Sequence, residues 1–297
     1  MIATRMLAEH GLRAKKGLGQ HFLVDPAALQ RIIESAHLDE CDTVLEIGAG
    51  PGNLTAQLVQ RAGQVIAVEL DDDMLGLLRQ SIEGCENVRI VHGDILQQDL
   101  ATLTEGKPYK VVANLPYYIT AAVLRYLLEP ESRPTMLVVT VQRQVAERIV
   151  GRPARRTGQA HRGMPRMSLL AVSVQFYGVP CIVARIPAGA FRPMPAVDSA
   201  IVRVEVYDPL PWGEVDHEVF FRVARAGFGQ SRKQLHNALT HNLRLAAEQV
   251  WGACETAGVD AKRRAETLSI QEWVALSAAL APLLAESIAP PAREVEQ

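Results

Sequence analysis

Apolar residues along the first two thirds of the chain alternate between two textures. Short β-branched runs occur at residues 43–47 (TVLEI), 64–69 (QVIAVE), 89–92 (RIVH), 109–113 (YKVVA) and 136–141 (MLVVTV). Between them apolar positions recur at helical spacing: Leu54, Leu58 and Val59; Met74, Leu77 and Leu78; Val123, Leu124, Leu127 and Leu128. Strands buried on both faces read as continuous apolar runs, and the helices covering them read as stripes three and four residues apart. The alternation predicts an α/β fold with a mostly parallel sheet and helices on both faces. Residues 168–176 (SLLAVSVQF) suit either element, and a helix is the expectation. Two further strands are expected at 181–186 and 200–206. The second (AIVRVEV) alternates apolar and polar, as a half-exposed antiparallel edge strand does.

Near Asp208-Pro209-Leu210-Pro211 the texture changes. Beyond it only helical periodicity remains: Val219, Val223 and Ala226; Leu235, Leu239 and Leu243; Val250 and Ala253; Trp273, Leu276 and Leu280. The chain is therefore expected to hold a sheet domain over residues 1–208 and an all-helical domain over 209–285. A disordered tail is expected over 286–297, where two prolines and mixed charge offer nothing to bury.

Length and composition add little to this but exclude a good deal. The 297 residues are 48% hydrophobic and 22% charged, enough for two domains with a large core. Four scattered cysteines, without a CxxC pair or metal spacing, point to a reducing cytoplasm and to no metal site. No apolar run approaches membrane-span length and no secretory signal opens the chain, so no membrane partner is expected.

Charge changes the picture more. The net charge of -2 speaks against a polyanionic partner, but its distribution does not. Seven arginines and one acid lie between Arg143 and Arg166. Four arginines, a lysine and no acid lie between Arg222 and Arg244. Such runs are often solvated helix faces, but several together make a positive surface that a near-neutral total conceals.

The ends of the first strands carry the candidate chemistry. Glycines 48, 50 and 52 follow the run 43–47 as G-x-G-x-G, which differs by one position from the dinucleotide pattern. Glu69 ends the next strand 19 residues after Gly50, and Asp94 follows the third. Glycine admits close backbone approach, a carboxylate such as Glu69 accepts from two ribose hydroxyls, and Asp94 can accept from an adenine amino group. An adenosine cofactor is expected: S-adenosylmethionine, with NAD as the alternative. At the fourth strand, Asn114-Leu115-Pro116-Tyr117 reads either as a plain turn or as a pocket for a flat polar ring.

Five stretches in order complete the reading: KKGLGQHFLVD (15–25), VLEIGAGPGNLT (44–55), NLPYYIT (114–120), FRPMPAVDSA (191–200) and FGQSRKQLHNAL (228–239). Over residues 11 to 282 the chain resembles the small-subunit ribosomal RNA adenine dimethyltransferases. The resemblance implies a Rossmann-like class I methyltransferase sheet with a helical RNA-binding domain. It implies that residues 1–40 cover the cofactor, with His21 and Leu23 in contact. It places Gly48 and Gly50 under the cofactor, Glu69 on its ribose and Asp94 at its adenine, with Asn114 touching both cofactor and target. The target it implies is two neighbouring adenosines near the 3′ end of small-subunit rRNA in the assembling ribosomal subunit, each dimethylated on N6 by a monomer.

The N6 lone pair is delocalised, so attack requires acceptors that favour charge developing on nitrogen, a role suited to Asn114 and the Leu115 carbonyl. Pro116 fixes φ and brings no competing N–H. Tyr117 offers a stacking face, with Phe191 expected opposite it, and Tyr118 is expected to be structural. Phosphate contacts are expected from Arg143, Arg148, Arg152, Arg155, Arg222, Arg225, Arg232 and Lys233, while His236 and His241 are expected to be packing or surface residues.

Three positions depart from the family pattern. Pro51 follows the second loop glycine instead of the first, Tyr118 stands where bacterial members often have Asn, and the stretch 152–170 is long. A large-subunit rRNA methylase, a DNA adenine methyltransferase and a non-catalytic assembly factor remain as alternatives. Leu115, where the DNA enzymes have proline, counts against the second, and the intact loop and Asn114 count against the third.

Overall fold

The computed structural model describes residues 11–153 and 166–286, so Arg155 and the expected tail from 287 on lie outside the described residues. The chain divides into two compact units. The first runs to Glu147 and resumes over Tyr177–Asp208. The second takes Arg148–Phe176 together with the chain from Pro209 on.

The first unit contains strands β1 (Phe22–Leu23), β2 (Thr43–Ile47), β3 (Gln64–Glu69), β4 (Val88–His92), β5 (Lys110–Asn114), β6 (Met136–Gln142), β7 (Gly178–Ile186), β8 (Phe191–Arg192) and β9 (Ser199–Val206). Its helices are α1 (Pro26–Ser35), α2 (Thr55–Leu58), α3 (Asp72–Ser81), α4 (Leu100–Thr104) and α5 (Thr120–Leu128). Helix α6 (Arg143–Ile149) carries the chain out of it. Seven strands form one sheet in the order β4-β3-β2-β5-β6-β9-β7. Strands β2 to β6 are parallel, and β9 and β7 are antiparallel additions. All five residues of β2 are buried, as expected of a central strand covered on both faces.

Strand β9 is not the edge. It lies between β6 and β7, and Gly178–Ile186 forms the edge instead. Its alternation is confined to its end, where Arg203 and Glu205 reach outward; Ser199–Val202 are buried. Period-two patterning reports which faces are covered, not whether the sides of a strand are paired, so it could not separate an edge from an interior position.

Two local devices place the site. Asp25 caps α1, accepting from Ala28 N at 2.7 Å, and Pro26 occupies the first helical position. Ile32 and Ile33 of this helix pack with Val44, Val65, Val112, Val138 and Ile201 across the sheet face. Just before α1, β1 pairs antiparallel with β8, Leu23 opposite Phe191. This two-stranded patch ties the N-terminal segment to the chain that precedes β9.

The second unit contains α7 (Leu169–Gln175), α8 (His217–Phe228), α9 (Leu235–Leu243), α10 (Ala247–Thr256) and α11 (Ile270–Glu286). Phe176 packs on Phe220 with ring centroids 4.1 Å apart, and Trp212 Nε1 donates to the Phe176 carbonyl at 2.7 Å. Trp273 is fully buried against Gly227, where a Cβ would lie 2.5 Å from its ring. The stretch 168–176 is helical as expected. It groups with the helical unit, although its position in sequence put it within residues 1–208.

Candidate active site

Parallel strands place their carboxyl ends along one edge, where open α/β sheets bind ligands. Here that edge opens into a cavity. Its walls are the glycine loop after β2, Glu69 and Leu70 after β3, Gly93 to Ile95 after β4, and Asn114 to Ile119 after β5. The N-terminal strap, Leu18 to Phe22, closes one side.

Glu69 organises the floor. Its carboxylate is buried and accepts from Gly50 N at 2.6 Å and Asp71 N at 2.7 Å. Burial raises its pKa against the pull of those two donors. A carboxylate offers about four acceptor positions, so capacity remains beyond these bonds. Gly50 stands at φ +57, and a Cβ there would lie 3.0 Å from the Phe22 ring. The strap and the loop therefore touch only because this residue is glycine. Asp94 caps the short turn Ile95–Gln97, accepting from Leu96 N through Oδ1 and leaving Oδ2 available.

At the fourth strand, Asn114 Nδ2 donates to the His21 carbonyl of the strap at 2.9 Å. The amide orientation follows from that acceptor and leaves Oδ1 as the free end. Leu115 N is held by Thr140 O at 3.2 Å, and the Pro116 carbonyl accepts from Ile119 N and Thr120 Oγ1, both at 3.3 Å. Tyr117 is fixed twice. Its hydroxyl bonds Ser199 Oγ at 2.7 Å, and its ring stacks on His21 with centroids 5.6 Å apart and planes at 22°. Burial raises its pKa, with Ser199 opposing. His21 in turn donates from Nδ1 to the Pro193 carbonyl at 2.8 Å.

His21, Gly48, Gly50, Glu69, Asp94, Asn114, Leu115, Pro116 and Tyr117 thus line one cavity. Two expected residues do not. Phe191 is 0% exposed within the core cluster and does not line this cavity. Leu23 is buried beside it and does not line the main cavity. Its carbonyl accepts from Asn53 Nδ2 at 2.8 Å, and its side chain borders a small adjoining space with Glu46, Gly48 and Asn114. The β1–β8 pairing explains both: it turns these side chains into the core.

Two carboxylates below the cavity stand apart: Asp71 is not legible in the sequence, whereas Glu46 precedes the glycine loop in the family motif. Asp71 caps α3 and is buried, yet it accepts from Lys15 Nζ at 2.6 Å and Gln20 Nε2 at 2.7 Å. Its burial pushes the pKa up, but these bonds and the Asp73 N–H outweigh that and hold it below the usual range. Glu46, 1% exposed, lies under the glycine loop with Oε2 unpartnered. Burial, with some repulsion from Glu69 and against the Thr55 hydroxyl, pushes its pKa up to about 8. Among the basic residues, Arg143, Arg148, Arg152, Arg225, Arg232 and Lys233 are exposed and Arg222 is half-buried. Arg143 follows β6 in the first unit, whereas the others belong to the second.

Residues 11–281 match the family described as ribosomal RNA adenine dimethylase. The chain belongs to that family. The dimethylase chain is 47% identical over 272 residues to the ribosomal RNA small subunit methyltransferase A of Dehalococcoides mccartyi, covering 91% of this chain and 90% of the relative. It is 38% identical over 286 residues to the protein of the same name from Geobacillus thermodenitrificans, covering 94% of each. Among solved structures it resembles the 23S rRNA methyltransferase ErmE, with a TM-score of 0.66 and 26% identity over 88% of this chain and 99% of that one. It shares its fold with a dimethyladenosine transferase from Plasmodium falciparum, with a TM-score of 0.70, 22% identity and coverage of 88% and 98%.

The family's cofactor is S-adenosylmethionine, and the cavity fits it. The lining carries Glu69 and Asp94 and no lysine or arginine, which suits a cationic sulfonium. Glu69 would accept from the ribose hydroxyls, and Gly48 and Gly50 leave the loop backbone uncovered at the cavity. When bound, the cofactor supplies an electrophilic methyl group. Among the described residues no helix is long and apolar enough to cross a membrane, and no cluster of three His, Cys, Asp or Glu side chains could hold a metal.

Proposed function

We propose that this dimethylase modifies two adjacent adenosines near the 3′ end of small-subunit rRNA, converting each to N6,N6-dimethyladenosine as the subunit assembles in the cytoplasm. One observation carries the reading. Asn114 has its Nδ2 committed to the strap, so its Oδ1 is the free acceptor at the cavity wall. Adenine N6 becomes cationic as it attacks a methyl group, and a preorganised carbonyl stabilises that charge. In this reading the Leu115 carbonyl is the second acceptor, Pro116 directs it, and Tyr117 stacks the target on the face that His21 leaves open. Gly48, Gly50, Glu69, Asp94 and His21 hold the cofactor. The methylated nitrogen is acidic while cationic, so its proton leaves to water without a dedicated base.

The helical unit binds RNA through Arg148, Arg152, Arg222, Arg225, Arg232 and Lys233, with Arg143 contributing from the sheet unit and Arg155 from outside the described residues. The protein acts as a monomer. The likeness to ErmE favours one second reading, modification of large-subunit RNA. Labelled S-adenosylmethionine, undermethylated small subunits and free large-subunit RNA separate the two. Label recovered as dimethyladenosine in the small-subunit RNA supports the proposal. Label confined to large-subunit RNA refutes it.

A further inference from the structure

Four aromatic rings border the cavity, and three are already committed. Phe22 is buried against Met74, Leu77 and the glycine loop. His21 and Tyr117 stack on each other, and Tyr117 is tied to Ser199. The fourth, Tyr118, is 60% exposed. It was expected to be structural, but it stands at the mouth instead of in the core. A Cβ on Gly19 would lie 3.1 Å from Tyr118 Cδ1 and 3.4 Å from Cε1, so one edge of the ring lies beside the strap. Gly19 holds φ +59, a left-handed conformation that favours glycine and leaves room for that contact.

An exposed ring held beside the strap along one edge leaves its faces available for stacking. Proteins use such faces for single-stranded bases, because every base has a face that can stack. Of the four rings at this site, Tyr118 is the most exposed. We infer that Tyr118 stacks the nucleobase adjacent to the adenosine being methylated, and so sets the register of the strand at the cavity mouth. Asn114 and Tyr117 line the same cavity and are half-buried, and the reacting base must reach them. The next base on the same strand emerges at the rim, where Tyr118 stands. This rests on the proposed function, under which that neighbour is the second adenosine of the pair.

The test compares wild type with Tyr118→Phe, Tyr118→Ala and Tyr118→Asn on undermethylated small subunits. It measures KM for the subunit, the distribution of methyl groups over the two adenosines, and S-adenosylmethionine affinity. The inference expects Phe to match wild type within about twofold. It expects Ala and Asn to raise KM roughly tenfold, the equivalent of one lost stacked base. It further expects them to lower the share of molecules carrying both modified adenosines, with cofactor affinity unchanged. Wild-type KM and distribution in the Ala variant overturn it. So does a loss of cofactor affinity that accounts for the whole defect, because the ring then only props the strap. Failure of the Phe variant overturns it too, since a stacking role needs the ring and not the hydroxyl. Wild-type protein that leaves both adenosines unmodified refutes the proposed function and this inference together, a result distinct from any variant effect.

Discussion

Lys15 and Asp71 lie far apart in sequence, yet Lys15 Nζ sits 2.6 Å from Asp71 Oδ1, and the carboxylate that receives it is buried. Asp73 adds a second contact to the same ammonium at 2.8 Å, and Gln20 binds the other Asp71 oxygen. Asp71 also donates its own backbone N–H to Glu69. One residue therefore fastens the strap and positions the carboxylate at the cavity floor.

Removing the latch should loosen the strap without dismantling the site. Lys15→Ala is expected to speed cofactor dissociation roughly two- to fivefold, in keeping with a pair that is exposed on the lysine side. Added salt should narrow the difference from wild type. Stopped-flow release of S-adenosylhomocysteine measures it. Because the Asp71 pKa is lowered, its contribution is complete above the ordinary aspartate value near 3.9. It is lost only as pH falls below that value, so the latch should hold at pH 5.

Asn114→Ala removes the free carbonyl acceptor. Single-turnover methyl transfer should fall by roughly 10²–10³, the usual cost of losing one preorganised group at a developing charge. Cofactor affinity should change by no more than a few fold, since the lost Nδ2 bond anchors only one point of the strap. Near-wild-type turnover in this variant would remove Asn114 from the mechanism.

Glu46 predicts an unusual pH profile for the ligand-free protein. Its folded pKa of about 8 lies above the ordinary value of 4.5. The folded state therefore binds the proton more tightly, and the stability this gives is complete below the ordinary value. It is lost as pH rises toward 8, at up to about 1.4 kcal/mol per pH unit. Glu46→Gln keeps the shape without the ionisation. Thermal melts from pH 5 to 8 should show wild type losing stability relative to this variant, and parallel curves would refute the assignment.

Binding to rRNA should depend steeply on salt. Each phosphate contact contributes about 0.7–0.9 to the slope of log K against log salt concentration. Neutralising Arg222, Arg225, Arg232 and Lys233 together should lower that slope by about 3 if all four touch phosphate. Filter binding over a salt series reads the change, and an unaltered slope would move the RNA surface elsewhere.

What could be read from the chain alone followed local rules. Strand runs, the glycine loop, Glu69, Asp94 and the Asn114 turn each announce themselves within a few residues, because backbone geometry and side-chain period are local properties. The switch to helices after Asp208 was legible for the same reason. Pairing is not local. Nothing in 22–23 and 191–192 says that these dipeptides form a ribbon, yet they pair, with Phe191 and Leu23 buried opposite each other. The interior position of β9, the grouping of residues 169–175 with the helical unit, and the Lys15–Asp71 latch likewise depend on contacts between distant segments. Residue order alone determined which chemistry the chain carries. Tertiary packing decided which aromatic faces stay open to a base, because a side chain's exposure is set by neighbours that sequence distance does not reveal.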